Sequence, residues 1–360
     1  MKIFFLILIV IHGLIHLMGF AKAFDFATIT QLSKAISKPL GVLWMTAFLL
    51  FLFSAILFYL KKEEWWIIGI IAVVVSQILI IIFWKDAKFG TIANVLIATV
   101  AVLTWGGIHF EKGYRNDISE NQARIDFLTA DLLTEKDLKA LPEPVQRYLR
   151  YVGVVNKPKV KNVRIVFEGQ MRDKGKDYFP FTTEQYNFFD EPARLFYMKA
   201  KMFGLTVPGY HKYSKGKATM DIRLFGLFPV VNQSGDIMNK TETVTVFNDM
   251  CLLAPATLID KRIQWEAIND SSTKAIFTNR DVSISATLFF NKQGQLIDFL
   301  SEDRTAVSDM NQYPFSTPVS KYKNINGFNL MSYGEAVWHY TDGKFTYGKF
   351  TLKDLEYNCK

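Results

Sequence analysis

The chain has 360 residues, half of them hydrophobic, and 42 Lys and Arg against 34 Asp and Glu give a net charge of +8. That length fits two or three structural units. The basic residues form no stripe, so the charge is compatible with anionic lipid contact and argues against a nucleic-acid partner.

Four apolar runs fill the first 110 residues: Ile3 to Phe20, Leu40 to Leu60, Trp65 to Trp84 and Thr91 to Phe110. Each is long enough to cross a bilayer core, which takes roughly 20 apolar residues. Lys61-Lys62-Glu63-Glu64 and Lys85-Asp86-Ala87-Lys88 read as short hairpin turns between spans. Trp44, Tyr59, Trp65, Trp66, Trp84 and Trp105 mostly fall near span ends, where amphipathic rings favour the headgroup level. Ala21-Lys22-Ala23 has the small-x-small look of a signal cleavage site. The apolar stretch before it is longer than a usual signal core and carries two histidines, so an uncleaved helix is expected. Four spans place the N-terminus and the large C-terminal region on one side. The positive-inside count is a tie, Lys2, Lys61, Lys62, Lys112 and Arg115 against Lys22, Lys34, Lys38, Lys85 and Lys88, so sidedness stays open.

His12 and His16 are one helical turn apart and share a face of the first span. Such a pair can ligate a metal or pass protons. Further ligands are lacking, and the expectation is that His12, His16, Gln77 and Asn94 hydrogen-bond between helices, with Gly13 and Gly19 allowing close approach.

Tyr114 to Leu141 is polar, with Ile118, Ile125, Leu128, Leu132 and Leu133 near helical spacing, which predicts an amphipathic juxtamembrane helix. Thr134 offers a cap for a second short helix. Pro142 and Pro144 break it, and a helix restarts over Glu143 to Val152 with Val145, Tyr148, Leu149 and Val152 on one face.

From Val160 the period becomes two. Val163, Ile165 and Phe167 alternate with polar neighbours, as do Phe196, Met198, Ala200 and Met202. Ala218, Met220, Ile222 and Leu224, then Ile284, Ala286, Leu288 and Phe290, repeat the pattern. Such alternation marks half-buried antiparallel strands. Lys292-Gln293-Gly294, Asn326-Gly327 and Asp342-Gly343 read as hairpin turns. About ten strands are expected. One helix interrupts them, starting at the capping-box pattern Asn239-Lys240-Thr241-Glu242, lined by Val246, Phe247, Met250 and Leu253, and stopped by Pro255.

Established catalytic and phosphate-binding motifs are absent, and Cys251 and Cys359 make neither a zinc spacing nor a disulfide framework. One disulfide or two unpaired thiols are both compatible with them, the latter being the plainer reading. No cofactor, metal or catalytic residue is assigned. Glu335 and His339 share strand parity and, with Arg304, would be the polar cluster of an enzyme reading; outward-facing rim residues are the plainer expectation. Phe, Met and Tyr recur at inward positions, and a curved sheet lined this way can enclose an apolar ligand. The candidate lining is Phe167, Phe196, Met198, Met202, Met220, Trp265 and Leu288.

Three stretches carry a resemblance. Leu141-Pro142-x-Pro144-Val145-x-Arg147-Tyr148-Leu149, Phe247-Asn248-Asp249-Met250 running into Ala254-Pro255-Ala256-Thr257-Leu258, and Ser332-Tyr333-Gly334-Glu335-x-x-Trp338 resemble an uncharacterised bacterial domain-of-unknown-function family, over about Leu141 to Cys359. That family transfers no activity and no site residues. At the level of fold, the strand series with a covering helix is similar to the LolA/LolB-like lipoprotein carriers, unclosed antiparallel barrels that hold acyl chains. Carriers of that kind are soluble or lipid-anchored, whereas this chain has four spans.

The expected architecture is therefore membrane α plus mainly antiparallel β. It comprises a four-helix block over 1–112, a juxtamembrane helical linker over 113–159 and a curved, unclosed β-barrel-like domain over 160–360. The expected role is a multi-pass membrane protein binding a lipid or other apolar molecule. A structural or signalling membrane protein whose β domain binds another protein, which could be another membrane protein, and an uncharacterised membrane enzyme using Glu335, His339 and Arg304, are the alternatives.

Overall fold

The computed structural model describes residues 2–125, 131–202 and 204–360. The chain divides into two compact units, Met1–Phe110 with Phe225–Leu227, and Glu111–Leu224 with Phe228–Lys360.

In the first unit α1 (Lys2–Ile15) and α2 (Leu17–Ala23) form one apolar run interrupted at His16, followed by α3 (Lys38–Tyr59) and α4 (Trp65–Ile82). The short α5 (Trp84–Ala87) occupies the expected second turn, and α6 (Gly90–Gln122) begins the fourth run. Four helical segments, Lys2–Ala23, Lys38–Tyr59, Trp65–Ile82 and Gly90–Gln122, are long and apolar enough to cross a membrane. Their polarity is inverted relative to a water-soluble bundle. Ile3, Phe4, Ile81, Phe89 and Ile92 face outward, whereas His12, His16, Ser54, Ser76 and Asn94 are buried. An apolar exterior suits lipid tails, and an interior hydrogen-bond network supplies partners that lipid cannot. His12 Nε2 lies 2.8 Å from Asn94 Oδ1, His16 Nε2 lies 2.9 Å from Ser76 Oγ, and Asn94 Nδ2 donates to Ser76 and Gln77 at 3.1 and 3.0 Å. The expected interhelical role of these residues is what the geometry displays. Gly19 lies against the Trp44 ring so closely that a Cβ there would sit 2.1 Å from it. Trp44 is accordingly a buried packing residue, not a headgroup anchor.

In the second unit, α6 continues from Glu111 to Gln122. The expected juxtamembrane helix is thus an extension of the fourth run that stops at Gln122. Leu128 lies outside the described residues, and Leu132 and Leu133 are not helical: Leu132 pairs with Pro158 in a β-bridge. The short helix α7 (Glu135–Leu138) is capped by Thr134 through a reciprocal box with Asp137, and α8 (Glu143–Val152) buries Val145, Tyr148, Leu149 and Val152 as the spacing predicts.

Sixteen strands follow among the described residues: β1 (Asn162–Met171), β2 (Phe179–Phe188), β3 (Ala193–Met202), β4 (Leu205–Ser214), β5 (Lys217–Leu224), β6 (Phe228–Ser234), β7 (Ile263–Asn269), β8 (Ser272–Asn279), β9 (Val282–Phe290), β10 (Leu296–Ala306), β11 (Asn311–Ser316), β12 (Val319–Ser320), β13 (Lys323–Ile325), β14 (Phe328–Leu330), β15 (Tyr333–Tyr340) and β16 (Gly343–Tyr357). Fourteen form one curled, open antiparallel sheet in the order β6-β5-β4-β3-β2-β1-β16-β15-β11-β10-β9-β8-β7, with β12 beside β15; β13 and β14 make a separate hairpin. Four of the strands beyond the expected ten or so are β11 to β14, which span six residues or fewer, too short to show a period.

The topology places one helix with little freedom. β6 and β7 are the two edges of the sheet, and the chain joins them through α9 (Asp236–Leu253) and a 3-10 turn at Pro255–Ile259. That connection crosses the sheet, and α9 packs on its inner face against β4, β5, β6, β9 and β10. The helix is buried almost all round, from Thr241 to Leu253. It begins at Asp236, three residues before the expected capping box, so Glu242 is freed from a capping role. The other face of β2 to β4 is covered by the end of α6: Tyr114 stacks on Tyr197 with ring centroids 5.1 Å apart and donates to the Glu184 carbonyl oxygen at 3.1 Å. This double cover explains why β3 buries both of its faces.

Candidate functional site

Between α9 and the inner face of the sheet lies a cavity of about 130 Å³. β1 contributes Phe167 and Met171, β3 contributes Arg194 and Phe196, and β4 contributes His211. On the other side stand Arg304 from β10, Phe315 from β11, Val319 from β12, and Gly334, Glu335 and Ala336 from β15, with Tyr347 and Phe350 from β16. The helix supplies Glu242, Thr245, Asn248, Asp249, Leu252 and Leu253. Most of the wall is apolar. Its side chains come from strands on both halves of the sheet, so no single stretch of sequence contains the site.

The polar floor is organised by Arg194. Its Nε donates to Asp249 Oδ2 at 2.8 Å and its Nη1 to Glu242 Oε2 at 3.2 Å, all three side chains being buried. Gln185 and Asn187 donate to the same Asp249 oxygen at 2.6 and 3.0 Å. Buried charges persist when paired and hydrogen-bonded, and this set is both.

Two other polar groups on the wall differ. His211 Nε2 and Arg304 Nε are buried without a hydrogen-bond partner among the described residues. Burial pushes the His211 imidazole down to about 4, against the attraction of Glu242, so it is neutral at pH 7. Arg304 lies over the Phe315 ring with Cζ 3.9 Å from the centroid, and 5.5 Å from that of Trp338. Glu335 is held by Tyr333 Oη at 2.7 Å and Thr346 Oγ1 at 3.3 Å.

Of the seven lining residues expected from sequence, Phe167 and Phe196 stand on the cavity wall. Met198 and Met202 belong to the apolar cluster that also contains Phe196, Met171 and Phe350, but they are not part of the cavity lining. Met220 and Leu288 are buried in the main core, and Trp265 packs at its margin. Of the polar trio, Glu335 and Arg304 face the cavity, whereas His339 is bonded to Ser316 Oγ at 2.8 Å and is not among its lining. Cys251 and Cys359 are both free thiols and both buried. Sequence reasoning overlooked Arg194, Glu242 and Asp249. Arg194 shares parity with Phe196 on β3, which was the available signal.

A model described as a family of unknown function, DUF6544, matches residues 131–350. The chain belongs to that family. The match contains the whole sheet up to Phe350 in β16, together with α9 and every residue on the cavity wall. Curated proteins give no match. Two solved structures are similar at low identity. One is a putative outer membrane lipoprotein-sorting protein domain from Vibrio parahaemolyticus, 10% identical with a TM-score of 0.36, covering 60% of this chain and 91% of that one. The other is a LolA superfamily protein from Nitrosomonas europaea, 9% identical with a TM-score of 0.37, covering 60% and 94%.

Proposed function

We propose that this chain is a multi-pass membrane protein whose β unit binds an apolar molecule, or the apolar end of a lipid, in the cavity beneath α9. The observation that carries the reading is the wall: Phe167, Phe196, Phe315, Met331 and Phe350 surround space that no side chain among the described residues fills. Protein interiors leave few voids larger than a water molecule. A cavity of this order has room for a guest of about benzene size. The occupant is then a ring or a segment of roughly five carbons, not a whole acyl chain. At about 0.8 kcal/mol per methylene, five contribute about 4 kcal/mol, which is millimolar affinity before association costs. The four apolar helices hold the domain at the bilayer, where such molecules are concentrated. In this scheme residues 1–112 anchor, 113–159 connect and 160–360 bind.

The test uses the full-length protein in lipid nanodiscs and equilibrium dialysis of radiolabelled 1-hexanol, with empty nanodiscs subtracted. Saturable binding is expected, and Ala336→Phe, which fills the cavity from β15, abolishes it while circular dichroism stays unchanged. Identical uptake by wild type and empty nanodiscs rejects the reading.

A further inference from the structure

Arg304 is a charged side chain whose chemistry is left incomplete by the protein. None of its guanidinium nitrogens has a hydrogen-bond or ion-pair partner among the described residues, and its Nε is shut off from solvent. Its contacts are the faces of Phe315 and Trp338. An arginine keeps its charge in any protein environment; Arg304 is half-buried, and its Nε is the guanidinium nitrogen closed off without a partner, which an anion in the cavity would supply. The three carboxylates on the wall, by contrast, each have hydrogen-bond donors. Arg194 holds Glu242 and Asp249, and the hydroxyls of Tyr333 and Thr346 hold Glu335. His211 Nε2, on the same wall, is the second atom without a partner. A neutral imidazole nitrogen can donate to or accept from a ligand, according to tautomer.

We propose that Arg304, with His211 in support, makes the cavity selective for a ligand carrying one acidic group, a carboxylate or a phosphodiester, on a short apolar segment. The proposal rests on the cavity being a ligand site. The guanidinium lies over the Phe315 ring, and its N–H edge suits a two-point bond to two oxygens of the anion, the geometry that carboxylate and phosphate share. A single negative charge is specified because Glu242, Asp249 and Glu335 line the same cavity, and three carboxylates repel a dianion. The apolar segment lies against Phe167, Phe196, Met331 and Phe350.

Full-length protein in zwitterionic nanodiscs is dialysed against four labelled probes of equal chain length: hexanoate, methyl hexyl phosphate, 1-hexanol and hexylamine. At least one anion is expected to bind about tenfold more tightly than hexanol, the scale of a charge-assisted two-point bond, with hexylamine weakest. Whichever anion is tighter separates a free acid from a phospholipid headgroup as the source. Arg304→Met brings the anions down to the hexanol level and leaves hexanol unchanged, and Arg304→Lys restores part of the preference. The ranking in wild type decides the matter even if Arg304→Met fails to fold. Equal binding of hexanoate, phosphodiester and hexanol overturns the acidic-ligand proposal and leaves the apolar cavity standing. Absence of saturable binding by all four overturns both.

Discussion

Arg194 on β3 donates its Nε–H to Asp249 on α9 at 2.8 Å, with both side chains buried. The bond ties the crossing helix to the strand it lies over, next to the cavity. Removing one partner leaves the other charge buried and unpaired. Asp249→Ala is therefore expected to destabilise the β unit by about 3–5 kcal/mol. Replacing Arg194, Glu242 and Asp249 together by Met, Leu and Leu should cost less than Asp249→Ala alone. Thermal melts followed by near-ultraviolet circular dichroism make the comparison, and additive losses would show that the three residues do not act as a unit.

His211 gives a pH dependence of definite sign. Its folded pKa is about 4, lowered by burial from 6.5. Between those values the unfolded chain takes up a proton that the folded chain refuses. Stability from this group is fully present above pH 6.5, falls as pH drops through the window, and levels off below 4. His211→Phe removes the proton uptake, so the variant should lose less stability than wild type between pH 7 and pH 4.

Asp298 works in the opposite direction. Burial raises its carboxyl from 3.8 to about 6, and Lys344 only partly offsets this. The folded state holds the proton more tightly, so its contribution is present below pH 3.8 and is lost as pH rises through 6. Asp298→Asn is expected to stabilise the protein by about 1–3 kcal/mol at pH 7 and to change little at pH 3.5. A gain at both pH values would point to packing rather than charge.

Within the helical unit, Gly19 leaves no room for a side chain against Trp44. Gly19→Ala should destabilise the helical bundle by about 1–3 kcal/mol through overpacking, read as a lower melting temperature in nanodiscs. Gly19→Ala combined with Trp44→Leu should recover most of the loss, since the shorter side chain vacates the contact.

If the four apolar helices each cross the bilayer, a tag before Lys2 and a tag after Lys360 lie on the same side of the membrane. Protease shaving of intact cells and of inverted vesicles reads both. Opposite sides would require an odd number of crossings. The result also decides the sidedness that five basic residues on each side leave balanced.

The sequence by itself determined the elements whose signal is local. Four apolar runs exceed the bilayer thickness, α8 shows its buried stripe at helical spacing, and Val163, Ile165 and Phe167 alternate because one face of β1 is buried. Only the tertiary structure decided the site. The first and last long strands of the β unit, β1 and β16, pair in the middle of the sheet, and α9 must cross from edge to edge. These long-range pairings bring Phe167, Arg194, His211, Arg304 and Glu335 to one cavity from five strands. The same crossing turned Glu242 from an expected helix cap into the buried partner of Arg194. It also packed Leu288 and Met220 into the core, leaving the cavity wall to Phe315, Met331 and Phe350. Period-two alternation says which face a residue takes. Where along the curved face a helix stops short of the sheet, and so leaves a void, depends on side chains far apart in the chain.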